Sequence, residues 1–435
     1  MNERDSEIIY SELLAKGYQK ADSVESADIV LLNTCSVRKQ AEDRAFGNAW
    51  ILRGWKKKNP DRVLGIVGCM AQNLKENILK KLTHVDFVCG PSGIYEIPKI
   101  IDDIISNKKQ VSCTYLDQRP LQKIDYDYRE TKTSTFVNIA EGCNNFCSYC
   151  IVPFVRGREV SRPMKDVIDE IKGLVDKGFK EVMLLGQNVN SYSQKSEDGS
   201  RTTESGMGFV GLLEKIDKIN DLERIRFMTS HPKDASEDLF KAMRDLEKVC
   251  EHLHLPLQSG SDKILKCMNR KYTAKHYLNL VDKYRKIVKD GSLTTDIIVG
   301  FPGEREGDFK KTYSMMKKIS FDAAFIFKYS PRPPASACAL KDDVETIVKL
   351  KRNHILLELQ EKISLTLNKK LCNKTEEILI EDYNKSKNQY FSRTRTNKTV
   401  VLEKTPQIKS DLIGKLFSAK IIQVKSRILF GKLLI

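Results

Sequence analysis

The sequence predicts an α/β multidomain protein with a doubly wound N-terminal domain, a partial (β/α)6 barrel and a small C-terminal all-β barrel. Three observations carry that expectation. Short apolar β-rich runs alternate with helical patterns over residues 1–112. Six further strand–helix repeats occupy 134–365, after a polar, aperiodic linker at 113–133. From 366 to 435 the pattern changes to five short strands separated by turn residues.

In the first region, "MNERDSEIIYSELLAKGY" spaces Ile8, Ile9, Leu13 and Leu14 as one helix face, with Asp5, Ser6 and Glu7 as start residues. "ADIVLLNT", "RVLGIVG" and "VDFVCG" read as buried parallel strands, each followed by a helical pattern (37–58, 74–82 and 94–106). The barrel strands are "FVNIA", "EVMLLG", "RIRFM", "HLHLPL", "TTDIIVG" and "AAFIFKY". The C-terminal strands are "EEILIED", "YFSRTRT", "TVVLE", "KLFSAKIIQVKS" and "ILFGKLLI".

Lys and Arg number 74 against 58 Asp and Glu, a formal charge of +16. Residues 366–435 hold 15 basic and 6 acidic residues. Such an excess suits a polyanion such as nucleic acid, and equally suits a solvated lysine-rich surface. No apolar run approaches the roughly 18 residues of a membrane span, and the charged N-terminus is unlike a signal peptide. A soluble, cytoplasmic protein with no membrane partner is expected.

Eleven cysteines in a chain of this kind point to metal ligation or catalysis rather than disulfides. Cys143, Cys147 and Cys150 form C-x3-C-x2-C directly after the first barrel strand. Three thiolates from one tight loop can hold three irons of a four-iron cluster and leave the fourth open. A structural zinc site would want a fourth nearby Cys or His, and none follows closely. Cys35 in "NTCSVR" and Cys69 in "VGCMAQ" each follow a strand of the first domain, where the strand ends of an open parallel sheet converge on a crevice.

The run "EGCNNFCSYCIVPFVRGREVSRP" resembles the radical S-adenosylmethionine enzymes. The resemblance narrows to the methylthiotransferases and covers essentially the whole chain, whose third region is then the RNA-binding TRAM barrel. "LLGQNVNSY", "MTSHP", "LPLQSGSDKIL", "DIIVGFPGE" and "YSPRPPASA" are similar to the branch that modifies isopentenylated adenosine in tRNA. The resemblance implies a radical [4Fe-4S] cluster on Cys143, Cys147 and Cys150 with S-adenosylmethionine on its open iron. It also implies an auxiliary [4Fe-4S] cluster that draws on Cys35 and Cys69. The auxiliary cluster's third cysteine normally precedes a "MN..DSE" stretch, and this chain begins "MNERDSE". That strand and cysteine are therefore expected upstream of Met1.

Gln187, Asn190, Ser230, Gln258 and Asp296 are carried as cofactor contacts, although each of their motifs also reads as an ordinary strand-end turn. His231 reads as pocket-lining, and His252 and His254 as packed on one strand face. Arg156 and Arg158 read either as anion contacts or as a solvent-facing pair. Tyr390, Phe391, Arg393 and Arg395 read either as RNA contacts or as half core and half surface. The expected partners are a tRNA anticodon stem-loop, a sulfur donor and an electron donor, with the chain acting as a monomer. The alternatives are the same chemistry on threonylcarbamoyl-adenosine tRNA or a ribosomal protein, and a non-catalytic iron–sulfur RNA-binding protein.

Overall fold

The computed structural model describes residues 1–36, 39–116, 128–131, 133–193, 208–403 and 412–434. It comprises two compact units. The first contains 1–130, 141–160 and 330–338, and the second contains 131–140, 161–329 and 339–435. Most of the expected linker (117–127 and 132) lies outside the described residues.

The first unit is built on a parallel sheet of β1 (Ile29–Thr34), β2 (Val63–Gly68), β3 (Phe87–Cys89) and β4 (Val111–Cys113), in that spatial order. Both faces are covered, which is why its strands are apolar without alternation. Val30, Leu32, Leu64, Ile66 and Val88 meet α2 (Lys39–Lys58) and α3 (Cys69–Leu74). Leu31, Val63, Val67 and Phe87 meet Ile8 and Ile9 of α1 (Asn2–Ala15) and the helix Ile97–Asn107. At Gly65 a Cβ would stand 2.4 Å from the Phe87 ring, so the two strands close only around glycine. β4 is a strand the sequence pattern does not announce, since three residues carry no periodicity.

In the second unit, strands 134–138, 181–185 and 224–228 form one parallel sheet. Strands 252–254, 292–299 and 323–328 form another. A parallel bridge, Ile225 to Val249, and the Ser230 N–H on the His254 carbonyl (3.1 Å) join them. One apolar core runs from Val137 to Phe321 and Leu356 beneath all six strands. The last five strands close into a barrel ordered 375–384, 389–394, 399–403, 429–434 and 416–424. Among the described residues no helix is long and apolar enough to cross a membrane.

Arginines at the N-terminal ends of the parallel strands anchor the closed barrel. Arg226 bonds Glu181 Oε2 (2.7 Å) and donates to the carbonyls of Arg395 (2.9 Å) and Thr394 (2.8 Å). Arg224 reaches the Arg393 carbonyl (2.8 Å) and Glu377 Oε1 (2.7 Å). Of the two readings of the 390–395 strand, these contacts favour half core and half surface. Tyr390 is buried in the barrel core, and Arg393 is paired with Glu381 (2.7 Å). Arg395 is spent on Glu251 (2.8 Å) and the Val249 carbonyl (2.8 Å). Phe391 is half-buried and outside the barrel's apolar core.

Truncating Arg226 would leave the buried Glu181 carboxylate with only the Ser134 hydroxyl (3.0 Å) and the more distant Arg224 guanidinium (4.0 Å). Arg226→Ala is expected to lower stability by about 3–5 kcal/mol, read as a shift in the urea unfolding midpoint of the full chain.

Candidate cysteine and cofactor sites

The Cys143–Cys150 loop lies in the first unit. The Cys143 N–H donates to the Gly157 carbonyl (3.2 Å), and Cys150 N–H to that of Cys147 (2.9 Å). The Ala337 N–H, from the "PPASA" segment, closes on the Ser148 carbonyl (2.7 Å). Gly142 has φ +74°, and a Cβ there would sit 2.1 Å from the Arg158 carbonyl oxygen, so the loop can only be entered through glycine. The Arg158 guanidinium lies over the Phe146 ring at 4.2 Å, a cation–π contact on an otherwise exposed arginine.

Cys143 and Cys147 are buried and Cys150 is half-buried. Burial pushes the Cys143 thiol up, opposed by the Asn145 backbone N–H and reinforced by the charge of Cys147. Two thiolates that repel in a dry loop are suited to a cation held between them. Among the described residues no three Cys, His, Asp or Glu side chains already stand in a metal-holding arrangement.

Cys35 and Cys69 are the residues next after Thr34 and Gly68, which are paired in register at the ends of β1 and β2. Burial raises the Cys69 thiol; Arg156, by charge and hydrogen bond, lowers it, and the charge of Cys35 adds to the rise. Arg156 is itself buried. It is ion-paired with Asp5 and, at 2.6 Å, with Glu141. Burial opposes its charge, but Asp5, Cys69 and Glu141 together hold its pKa well above the ordinary value. The solvent-facing alternative for Arg156 is thereby excluded. Cys69 packs on Ile151 and Val155, so the helix after the C-x3-C-x2-C loop also covers the second cysteine site.

Sequence reading passes over three residues here. Asp5 is hidden in a helix start. Glu42 accepts from Ser36 beside Cys35 and pairs with Arg332 (3.0 Å), whose only signal is the "YSPRPPASA" run.

In the second unit the strand-end polar groups divide into two kinds. Ser230 Oγ and Gln258 Oε1 are buried without hydrogen-bond partners among the described residues. Thr229 and Gln258 hold φ of 72° and 66°, strained for non-glycine residues. Orphaned acceptors on a strained backbone are the mark of a ligand contact. Gln187 follows its strand in the same way.

Asn190 is different. Its amide is consumed by the His231 backbone, accepting from N–H at 2.9 Å and donating to C=O at 3.1 Å. It positions the "TSHP" turn, together with Asn188, instead of presenting its amide to a ligand. Asp296 Oδ2 lies 3.5 Å from His254 Nε2. His252 and His254 share the Thr294 hydroxyl, each at 2.9 Å.

The chain matches the family models "Radical SAM superfamily" over residues 137–316, "Uncharacterized protein family UPF0004" over 1–90 and "TRAM domain" over 369–434. The tRNA-2-methylthio-N(6)-dimethylallyladenosine synthase of Thermoanaerobacter sp. (strain X514) is 45% identical over 446 residues, covering 100% of this chain and 90% of that protein. The chain belongs to this synthase family. Its counterpart in Caldicellulosiruptor saccharolyticus is 43% identical over 436 residues, with the same coverage. Among solved structures, the radical S-adenosylmethionine methyltransferase TsrM from Kitasatospora setae is alike in fold. There the TM-score is 0.54 at 13% identity, over 74% of this chain and 69% of that one. The chain is a radical SAM transferase, and its radical SAM domain implies a [4Fe-4S] cluster and S-adenosylmethionine.

His231 accepts the Lys233 N–H on Nδ1 (3.2 Å) and sets its ring edge-on to Tyr272. Burial first, then the charges of Arg270 and Lys233, bring its pKa down to about 2 from 6.5. The unfolded chain takes up a proton near 6.5 that the folded ring refuses, so this contribution to stability is present above that pH and lost as pH falls. From about pH 6 downward wild type is expected to lose about 1.4 kcal/mol per pH unit relative to His231→Gln. Paired urea titrations at successive pH values check the difference.

Proposed function

We propose that this chain adds a methylthio group to C2 of N(6)-dimethylallyladenosine next to the anticodon of tRNA by radical S-adenosylmethionine chemistry. The observation that carries the reading is the pair of thiol sites in one unit, sharing Ile151, Val155 and Arg156, in a chain alike end to end to synthases of that name.

Cys143, Cys147 and Cys150 are the residues that would hold the radical cluster, and Cys35 and Cys69 would give two thiolates to an auxiliary one. Bound there, clusters and S-adenosylmethionine supply the radical, the methyl group and the handling of sulfur. The remaining tasks fall to side chains. Arg156 brings a fixed positive charge to the Cys69 thiolate, which favours its deprotonated, ligating form. Ser230, Gln258 and Gln187 offer hydrogen-bonding groups to the cofactor, and Asp296 a carboxylate, while Asn190 orients the turn that carries Ser230. A sulfur donor and an electron donor act from outside, and the chain works as a monomer in the cytoplasm.

For the tRNA, the closed barrel offers a different cationic face from the one expected. Lys420 and Lys432 stand directly opposite each other on neighbouring strands, and both are exposed. Like charges in cross-strand register are destabilising unless an anion lies across them, and two phosphates of an anticodon stem would serve. Lys420→Gln and Lys432→Gln are each expected to weaken tRNA binding and to lower the slope of log K against log salt by about 1, measured by filter binding across a salt series.

The reaction itself is tested by nucleoside mass analysis of tRNA from a strain lacking this gene. Unmethylthiolated dimethylallyladenosine is expected to accumulate, to be cleared by the wild-type chain, and to persist with Cys143→Ala. Persistence of the methylthio group in the deletion strain, or its loss from threonylcarbamoyl-adenosine instead, would overturn the reading.

A further inference from the structure

All four strands of the first unit's sheet deliver a cysteine at their C-terminal ends. Cys35 and Cys69 follow β1 and β2, whereas Cys89 and Cys113 close β3 and β4. The second pair has no part in the sites above. β3 and β4 are parallel, with Cys89 directly opposite Cys113. Neighbouring strands run about 4.8 Å apart, inside the roughly 4.4–6.8 Å Cα separation that a disulfide spans.

The two sulfurs lie side by side; the Cys89 thiol also reaches the Gly90 carbonyl (3.4 Å), and the neighbouring thiols raise Cys89 and lower Cys113. Over them lies Gly93, where a Cβ would stand 2.5 Å from Cys113 Sγ and 2.8 Å from Cys89 Sγ. Any side chain there would part the sulfurs. At the exposed edge of this layer the Glu96 carboxylate lies 3.9 Å from Cys113 Sγ and accepts from the Tyr115 hydroxyl, and its charge opposes the Cys113 thiolate. Two cysteines serving only as small apolar filler would need neither the sulfur contact nor the bare roof. Access is unequal. Cys113 is on the edge strand and 9% exposed, and Cys89 is fully buried.

We propose that Cys89 and Cys113 form a reactive dithiol that takes electrophilic divalent sulfur, the S–S bond of an oxidised low-molecular-weight thiol or of a polysulfide. Cys113 attacks and Cys89 resolves. In the first step the Cys113 thiolate forms a bond to one sulfur of the donor, the donor S–S bond breaks, and the other sulfur leaves as a thiolate. Cys113 then carries a mixed disulfide or, from polysulfide, a persulfide. Cys89 loses its proton to solvent and attacks Cys113 Sγ, and the carried sulfur leaves as a second thiolate or as hydrosulfide. Two thiols are oxidised by two electrons and the donor is reduced by two. Cys89 requires no exposure, because its electrophile is delivered by the neighbouring strand.

The test treats the full chain anaerobically with glutathione disulfide in one arm and inorganic polysulfide in the other. Acid quenching, alkylation under denaturing conditions and peptide mass mapping follow. A Cys89–Cys113 linked peptide is expected, accompanied in the polysulfide arm by hydrosulfide release that Cys113→Ser lowers by the share due to this pair, the other free thiols reacting as before. Cys89→Ser is expected to stop at the adduct on Cys113, and Cys113→Ser to give neither link nor adduct. A link in one arm alone keeps the dithiol and identifies its donor. Full alkylation of both cysteines in both arms, or an adduct that forms first on Cys89, overturns the proposal. The readout requires no methylthiolation, so it stands or falls apart from the proposed reaction.

Discussion

The guanidinium of Arg156 is buried between the carboxylates of Asp5 and Glu141 and touches the Cys69 thiol, and the first unit is organised around that contact. A buried arginine is tolerable only where its charge is matched and its donors are met. Meeting them draws the first helix, the entry to the cysteine loop and the end of β2 to one point. Asp5 comes from α1, Glu141 from just before Gly142, and Cys69 from the start of α3. The same requirement explains the burial of Asp5 on α1, while Arg4 and Glu7 are buried as a pair of their own (3.1 Å). Helix, loop and sheet are thus held by charge as well as by apolar packing. Burial there raises the Cys69 thiol, and the Arg156 charge offsets part of that rise.

The second unit depends on a comparable device. Arg224 and Arg226 project from one strand into the closed barrel's carbonyls, so the barrel is held by hydrogen bonds to main chain and not by a shared apolar core. Lys398 with Asp322 (2.6 Å) and Ser292 with the Thr396 carbonyl (2.7 Å) extend the same seam. Main-chain carbonyls take the Arg226 donors, while the barrel side chains Glu377, Arg395 and Lys398 add ion pairs to Arg224, Glu251 and Asp322.

Legibility in the sequence followed the length and regularity of each signal. The long apolar strands, the 3.6-residue helix faces and the five short C-terminal strands were readable, because each repeats its period several times. β4 was not, because three residues cannot show a period. Among site residues, cysteine spacing pointed to cluster chemistry unaided, since few other roles need three thiols so close. The roles of Asn190 and Arg395 were not readable. Both looked free to meet ligands, and both are committed, one to the His231 backbone and the other to Glu251.

The sequence by itself determined the fold class, the radical chemistry and the family, since these rest on local periodicity and on motif residues close together in the chain. Tertiary structure alone decided which polar groups are spent and which are open. Asp5 meets Arg156 across 151 positions, and Arg332 meets Glu42 across 290. Cys89 finds Cys113 only through strand register. Pairings of that kind depend on how strands order and helices dock, and no local window of sequence contains the information. For the same reason Ser230 and Gln258 are recognisable as orphaned acceptors only once everything around them has found its partner.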